Sequence, residues 1–132
     1  MKRSKIKYLK LEEIVELNRQ IIKATGGSTG PYKEADLEFL VYKLENSFNF
    51  ENMEESLFHK SAFVIYFMNH LSHTFSDGNK RTSIETAKLL LRLNSYDLKF
   101  PLKESKKFIL EVAQYKHNQK GILKWLKKHI TK

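Results

Sequence analysis

Between His73 and Arg81 the chain reads His73-Thr74-Phe75-Ser76-Asp77-Gly78-Asn79-Lys80-Arg81, which brings an imidazole, a carboxylate, a glycine and two cations into nine residues. The His73 side chain can take a proton near neutral pH. Asp77 is a hard oxygen ligand, and Mg²⁺ favours one or two carboxylates together with phosphate oxygens. Gly78 has no Cβ, so its backbone can form an anion-cradling nest that phosphate approaches closely. Lys80 and Arg81 follow at once. If a helix begins near Asn79, these cations stand at its positive end, where the macrodipole opposes them by a few tenths to about one kcal/mol. A bound polyanion offsets that cost, because a helix start also offers N–H donors without intrahelical partners. A base, a metal ligand, an anion nest and two cations are the parts that phosphoryl or nucleotidyl transfer needs: positioning, charge neutralisation and activation of a hydroxyl.

Each part has a plainer reading alone. A single histidine at a helix end is commonly structural, Asp-Gly is an ordinary turn signal, and Asn79 can be a simple cap. His70 and His73 lie three residues apart and, with Asp77, could form a metal cluster. That cluster leaves Gly78, Asn79, Lys80 and Arg81 without a purpose. The combination is what points to chemistry.

The neighbouring elements must present the loop. Residues 57–71 are apolar almost all round (Leu57, Phe58, Ala62, Phe63, Val64, Ile65, Phe67, Met68), which predicts the central buried helix of a bundle. His70 and His73 come at its end. A new helix runs from about Asn79 to Leu93, with Ile84, Ala87, Leu90 and Leu91 facing inward. Upstream, Leu11, Ile14, Val15, Asn18, Ile21 and Ile22 share one helical face, and Gly26-Gly27 stops that helix. Ser28-Thr29-Gly30-Pro31 reads as a loop. Ala35, Leu37, Leu40, Val41 and Leu44 stripe a second helix, and residues 46–54 read as a loop. Residues 96–101 suit a short extended piece, and residues 104–115 and 121–130 suit two more helices. The expected fold class is all-α.

The 132 residues are the size of one ordinary domain, which is expected to span 1–132. The absence of cysteine excludes disulfides, thiol catalysis and Cys-type zinc sites. No secretory signal is read, since residues 9–17 are broken by Lys10, Glu12, Glu13 and Glu16. No membrane span is expected either, and the anticipated location is the cytoplasm. The net charge of +9 sits at the two ends: residues 1–10 carry +5, residues 103–132 carry +7 and the stretch between carries −3. Solvated faces explain this most simply, with an acidic protein or nucleic acid as the functional alternative.

The motif His-x-Phe-x-Asp-Gly-Asn-Lys-Arg is similar to the signature of the Fic family, His-x-Phe-x-(Asp/Glu)-(Gly/Ala)-Asn-x-Arg, and matches it at every specified position. A first helix followed by Gly-Gly, a helix ending in His, the loop, the next helix and the Asn94 turn resemble the short Doc branch over roughly residues 6–130. The resemblance implies a compact helical Fic/Doc domain that uses ATP and Mg²⁺. It implies that His73 is the general base, that Phe75 anchors the loop, that Asp77 binds Mg²⁺, and that Gly78, Asn79, Lys80 and Arg81 hold nucleotide phosphates.

Two positions select the branch. Fic adenylyltransferases usually carry Gly where Lys80 stands and a second Arg where Ile84 stands. Lys-Arg-Thr with an aliphatic residue at position 84 resembles Doc. That likeness implies a toxin that moves the γ-phosphate of ATP to a Ser or Thr of a translation elongation factor and is restrained by a small antitoxin. The alternatives are AMP transfer to a protein hydroxyl and, ranked below it, a basic module that grips nucleic acid. Ser47-Phe48-Asn49-Phe50-Glu51-Asn52 also matches the loose inhibitory pattern of some Fic proteins, in which a Glu blocks the nucleotide.

Overall fold

The computed structural model describes residues 5–132, so the start of the N-terminal basic run, Met1 to Ser4, lies outside the described residues. The first helix, α1 (Leu11–Thr25), opens on Lys10, whose N–H donates to Glu13 Oε1 at 2.9 Å. It buries Ile14, Asn18, Ile21 and Ile22. Gly26 ends it in the left-handed region at φ +75°, with its N–H on Ile22 O, the C-terminal device that only glycine adopts without strain. After an exposed loop, α2 (Glu34–Asn46) buries Leu37, Leu40 and Leu44.

The central helix, α3 (Met53–Tyr66), buries Ser56, Leu57, Phe58, Lys60 and the whole run from Ser61 to Ile65. It begins four residues before the apolar run that announced it, because the Asn52 side chain caps it through Glu55 N–H at 3.0 Å. It packs against the two helices that follow, α4 (Asn79–Leu93) and, further on, α6 (Gln119–His129). Between α4 and α6 come a two-residue strand, β1 (Asp97–Leu98), and α5 (Leu102–Ala113). The last strand, β2 (Ile130–Thr131), pairs antiparallel with β1, Leu98 opposite Ile130. Ile130, expected as the end of a helix, is instead drawn into this ribbon. Phe108 of α5 stacks on Trp125 of α6 with ring centroids 3.9 Å apart, which holds the last two helices together. The architecture is all-α, with six α-helices among the described residues around one apolar core that takes in α1 to α6.

Among the described residues, one charged side chain is buried alongside that core. Lys60 is fully buried, and its ammonium donates to Leu44 O, Ser47 O and Asn49 Oδ1. It thereby satisfies carbonyls left open at the end of α2. Burial pushes its pKa down from 10.5 to about 8, against the pull of Glu45.

Candidate active site

The end of α3 is not α-helical. Phe67–Leu71 forms a π-helical turn, closed by Ser72 N–H on Phe67 O at 2.9 Å. Such turns widen a helix by one residue and recur at functional sites. Apolar periodicity could not reveal it, since one extra residue in five hardly disturbs the pattern. Just beyond, the chain alternates between buried and exposed. Ser72 and Thr74 are buried and His73 between them is exposed. The Ser72 hydroxyl donates to Asp36 Oδ2 at 2.6 Å and lies 2.8 Å from the Thr74 hydroxyl. Thr74 O accepts from Lys33 N–H at 2.9 Å. Two anchored neighbours thus hold the His73 backbone while its ring is left free to face outward.

Phe75 returns to the core at 5 % exposure, as the family resemblance implied. Asn79 then folds back on it: Asn79 Oδ1 accepts from Phe75 N–H and Asn79 Nδ2 donates to Phe75 O, both at 2.9 Å. This amide clasp closes the turn that carries Asp77 and Gly78. Asp77 Oδ1 accepts from Gly78 N–H at 2.8 Å. Gly78 precedes α4 in the left-handed region at φ +77°, which explains the glycine conformationally. A Cβ there would lie 3.0 Å from Ile22 Cδ1 and 3.3 Å from Asn18 Nδ2. The space kept open at Gly78 therefore faces α1 and not the cavity, so close approach of phosphate is not what excludes a side chain at this position.

His73, Asp77, Gly78, Asn79, Lys80 and Arg81 all line one cavity of about 630 Å³, together with Met68 and Asn69 of the π turn, Leu110 and Ala113 of α5, and Gln114 and Tyr115 just after it. The volume is in the range of small-molecule sites. The Asn79, Lys80 and Arg81 N–H groups open α4 without intrahelical acceptors; Thr82 N–H is the first to pair, with Gly78 O at 2.9 Å. Lys80 and Arg81 are exposed and form no ion pair among the described residues. An anion seated here meets backbone donors, the helix dipole and two cations together. Asp77 is the carboxylate on that wall, and one carboxylate beside phosphate oxygens is a donor set that suits Mg²⁺.

Several supporting residues carried little sequence signal. Asn18, a polar residue within the apolar stripe of α1, donates through Nδ2 to Asp77 O at 2.9 Å and Thr82 Oγ1 at 3.1 Å. Asn69 donates to Ile65 O and Ser83 Oγ, and Ser83 donates to Lys80 O, which ties the π turn to the start of α4. Nothing local marked Asp36. His70 turns away from the cavity: its Nε2 lies 2.7 Å from Val112 O and its ring packs on Tyr115. No cluster of three or more potential metal ligands occurs among the described residues, which removes the His70–His73–Asp77 metal reading. Glu51 lines a separate cavity with Lys5, Tyr8 and Phe50 that shares no residue with the His73 cavity.

A model of the Fic/DOC family matches residues 8–91, a span that holds α1, α2, α3, the π turn, the loop and most of α4. The chain belongs to the Fic/Doc family. Members of the family are in general protein-modifying transferases, which use ATP and typically Mg²⁺, and the chain is a Fido-domain protein of that class. In this Fido domain α5 and α6 lie beyond the matched span, yet α5 supplies one wall of the cavity. No curated protein matches the chain significantly. No helix of the described residues is long and apolar enough to cross a membrane.

Proposed function

We propose that this Fido-domain protein is a Doc-like toxin, a protein kinase that moves the γ-phosphate of ATP to a Ser or Thr hydroxyl of a translation elongation factor in the cytoplasm and is restrained by a small antitoxin. The observation that carries the choice of group is position 84. Fic adenylyltransferases use a second Arg there to help hold the terminal phosphate. Here Ile84 is 7 % exposed and packs into the core, so the residue one turn into α4 offers no cation to a phosphate chain.

In this reading the β- and γ-phosphates lie over the start of α4. The N–H groups of its first turn, with Lys80 and Arg81, hold them and neutralise their charge. Asn79 acts through its clasp on Phe75, which fixes the turn. His73 takes the proton of the incoming hydroxyl. The hydroxyl oxygen forms the new bond to Pγ, the bond from Pγ to the β–γ bridging oxygen breaks, and ADP leaves with that electron pair. Mg²⁺ held by Asp77 would supply further neutralisation of phosphate charge.

The test is to incubate the protein with elongation factor Tu and ATP labelled at either the α- or the γ-phosphate. Label from γ and none from α is expected. Label from α and none from γ overturns the kinase reading in favour of AMP transfer. Steeply salt-dependent nucleic-acid binding, indifferent to His73→Ala and without transfer from either label, would mark a nucleic-acid module instead.

A further inference from the structure

We infer that Gly27 is a positioning residue for the Asp77 carboxylate. This rests on the reading of Asp77 as the cation-holding group of the site, and goes beyond it by assigning what aims that group. The loop between α1 and α2 carries three glycines, and their surroundings differ. Gly26 has φ +75° and nothing within 4 Å of a would-be Cβ, so its backbone conformation accounts for it. Gly27 has no such conformation. A Cβ on Gly27 would instead lie 2.5 Å from Asp77 Oδ2, 3.4 Å from Asp77 Cγ and 3.3 Å from Ile22 Cδ1. The first of these is closer than carbon and oxygen tolerate, so the glycine is there for the carboxylate.

What must move is set by the rest of the site. The Asp77 main chain is held by Asn18 Nδ2 on its carbonyl at 2.9 Å, and Asn18 is itself buried at the α1–α4 contact. Among the described residues, the Asp77 side chain is held by Gly78 N–H on Oδ1 and by no other hydrogen bond. A methyl group at position 27 therefore swings the carboxylate and breaks that one bond, while the loop backbone stays. The next glycine repeats the pattern independently. A Cβ at Gly30 would lie 2.7 Å from Ser76 Oγ, which donates to Pro31 O at 2.8 Å. Lys33 N–H on Thr74 O fixes the far end of the same loop. Residues 27–33 are moulded onto the loop that carries Asp77, and Gly27 is where the mould meets the carboxylate.

Calorimetric titration of ATP, with and without Mg²⁺, into the wild type, Gly27→Ala, Asp77→Ala and the double variant tests this. Supporting groups around a metal ligand are worth roughly ten- to a hundredfold in metal affinity, so Gly27→Ala is expected to lose about tenfold or more of the Mg²⁺-dependent gain in ATP affinity. It should keep the Mg²⁺-free affinity and the melting temperature, and add no further loss in the Asp77→Ala background. An unchanged Mg²⁺ gain in Gly27→Ala, or an equal further loss in the Asp77→Ala background, overturns the inference. If Asp77→Ala leaves the Mg²⁺ gain intact, the metal role of Asp77 fails, and the positioning claim is then decided by NMR: it requires the Gly78 amide and Asp77 Cγ signals to move in Gly27→Ala, and unmoved signals overturn it.

Discussion

Of the residues in the cavity, His73 stands out for how little holds its ring and how much holds its neighbours. Ser72 and Thr74 are buried and hydrogen-bonded on either side, while the imidazole faces the cavity that also holds Lys80 and Arg81. If His73 is the base proposed above, His73→Ala is expected to lower transfer by about 10²–10⁴-fold, the usual worth of a positioned base, while ATP affinity stays within about threefold, since the groups proposed to hold the phosphates do not include His73. Transfer rates and ATP titrations on the same preparation check both halves. Asn79 has a different part. Asn79→Ala removes both bonds to Phe75 and leaves a backbone donor and acceptor of a partly buried turn without partners, so it is expected to cost about 1–3 kcal/mol of stability, read from urea unfolding. That the loop residues His73 to Arg81 gather at one cavity was legible from their types and spacing. The bracing residues were not, because Asp36 and Ser72 meet only after α2 folds back on the loop, and no local pattern encodes that meeting.

The site works as a joint between helices. The π turn delivers the loop from α3, α4 receives it, and Asn18 of α1 spans the two sides through Asp77 O and Thr82 Oγ1. Asn18→Leu fits the apolar stripe but strips both partners of their donor. It is expected to destabilise the fold by about 1–3 kcal/mol and to weaken ATP binding as well, whereas a leucine at an ordinary stripe position would stabilise. Paired urea and ATP titrations distinguish the two. At this scale the sequence was readable where periodicity is strong: the stripe of α1, the all-round apolar character of α3 and the inward face of α4 each mark a helix that forms. It was silent at the ends. Residues 57–71 read as one helix, although Asn52 starts it earlier and the π turn ends it, and residues 121–130 read as helix although Ile130 pairs with Leu98. End positions are decided by single caps and tertiary pairings, which average hydrophobicity does not record.

At the scale of the whole molecule, the buried ammonium of Lys60 couples stability to pH. In the unfolded chain this lysine keeps its proton up to its ordinary pKa of 10.5, while in the folded chain it releases it at about 8. Between those values the unfolded state binds the extra proton, so this group's contribution to the unfolding free energy rises with pH, by up to about 3 kcal/mol across the window. Below pH 8 both states are protonated and the burial cost is borne in full. Tyr8, whose pKa burial and Glu45 raise from 10.0, opposes this rise at the top of the window, from about pH 10 upward. Urea unfolding of the wild type should show the rise relative to Lys60→Met, which has no proton to release. That lysine was invisible to sequence reading, which treats every lysine as a solvated charge. The helical architecture and the loop were both legible because each rests on short-range patterns.

Two questions decide the function of this Fido domain: which group is moved, and whether His73 takes part. Intact-mass spectrometry of elongation factor Tu, after incubation with ATP, Mg²⁺ and either the wild type or His73→Ala, reads both at once. A gain equal to one phosphate with the wild type, absent with His73→Ala, is the predicted result. A gain equal to one AMP, or a phosphate gain that survives His73→Ala, would contradict it.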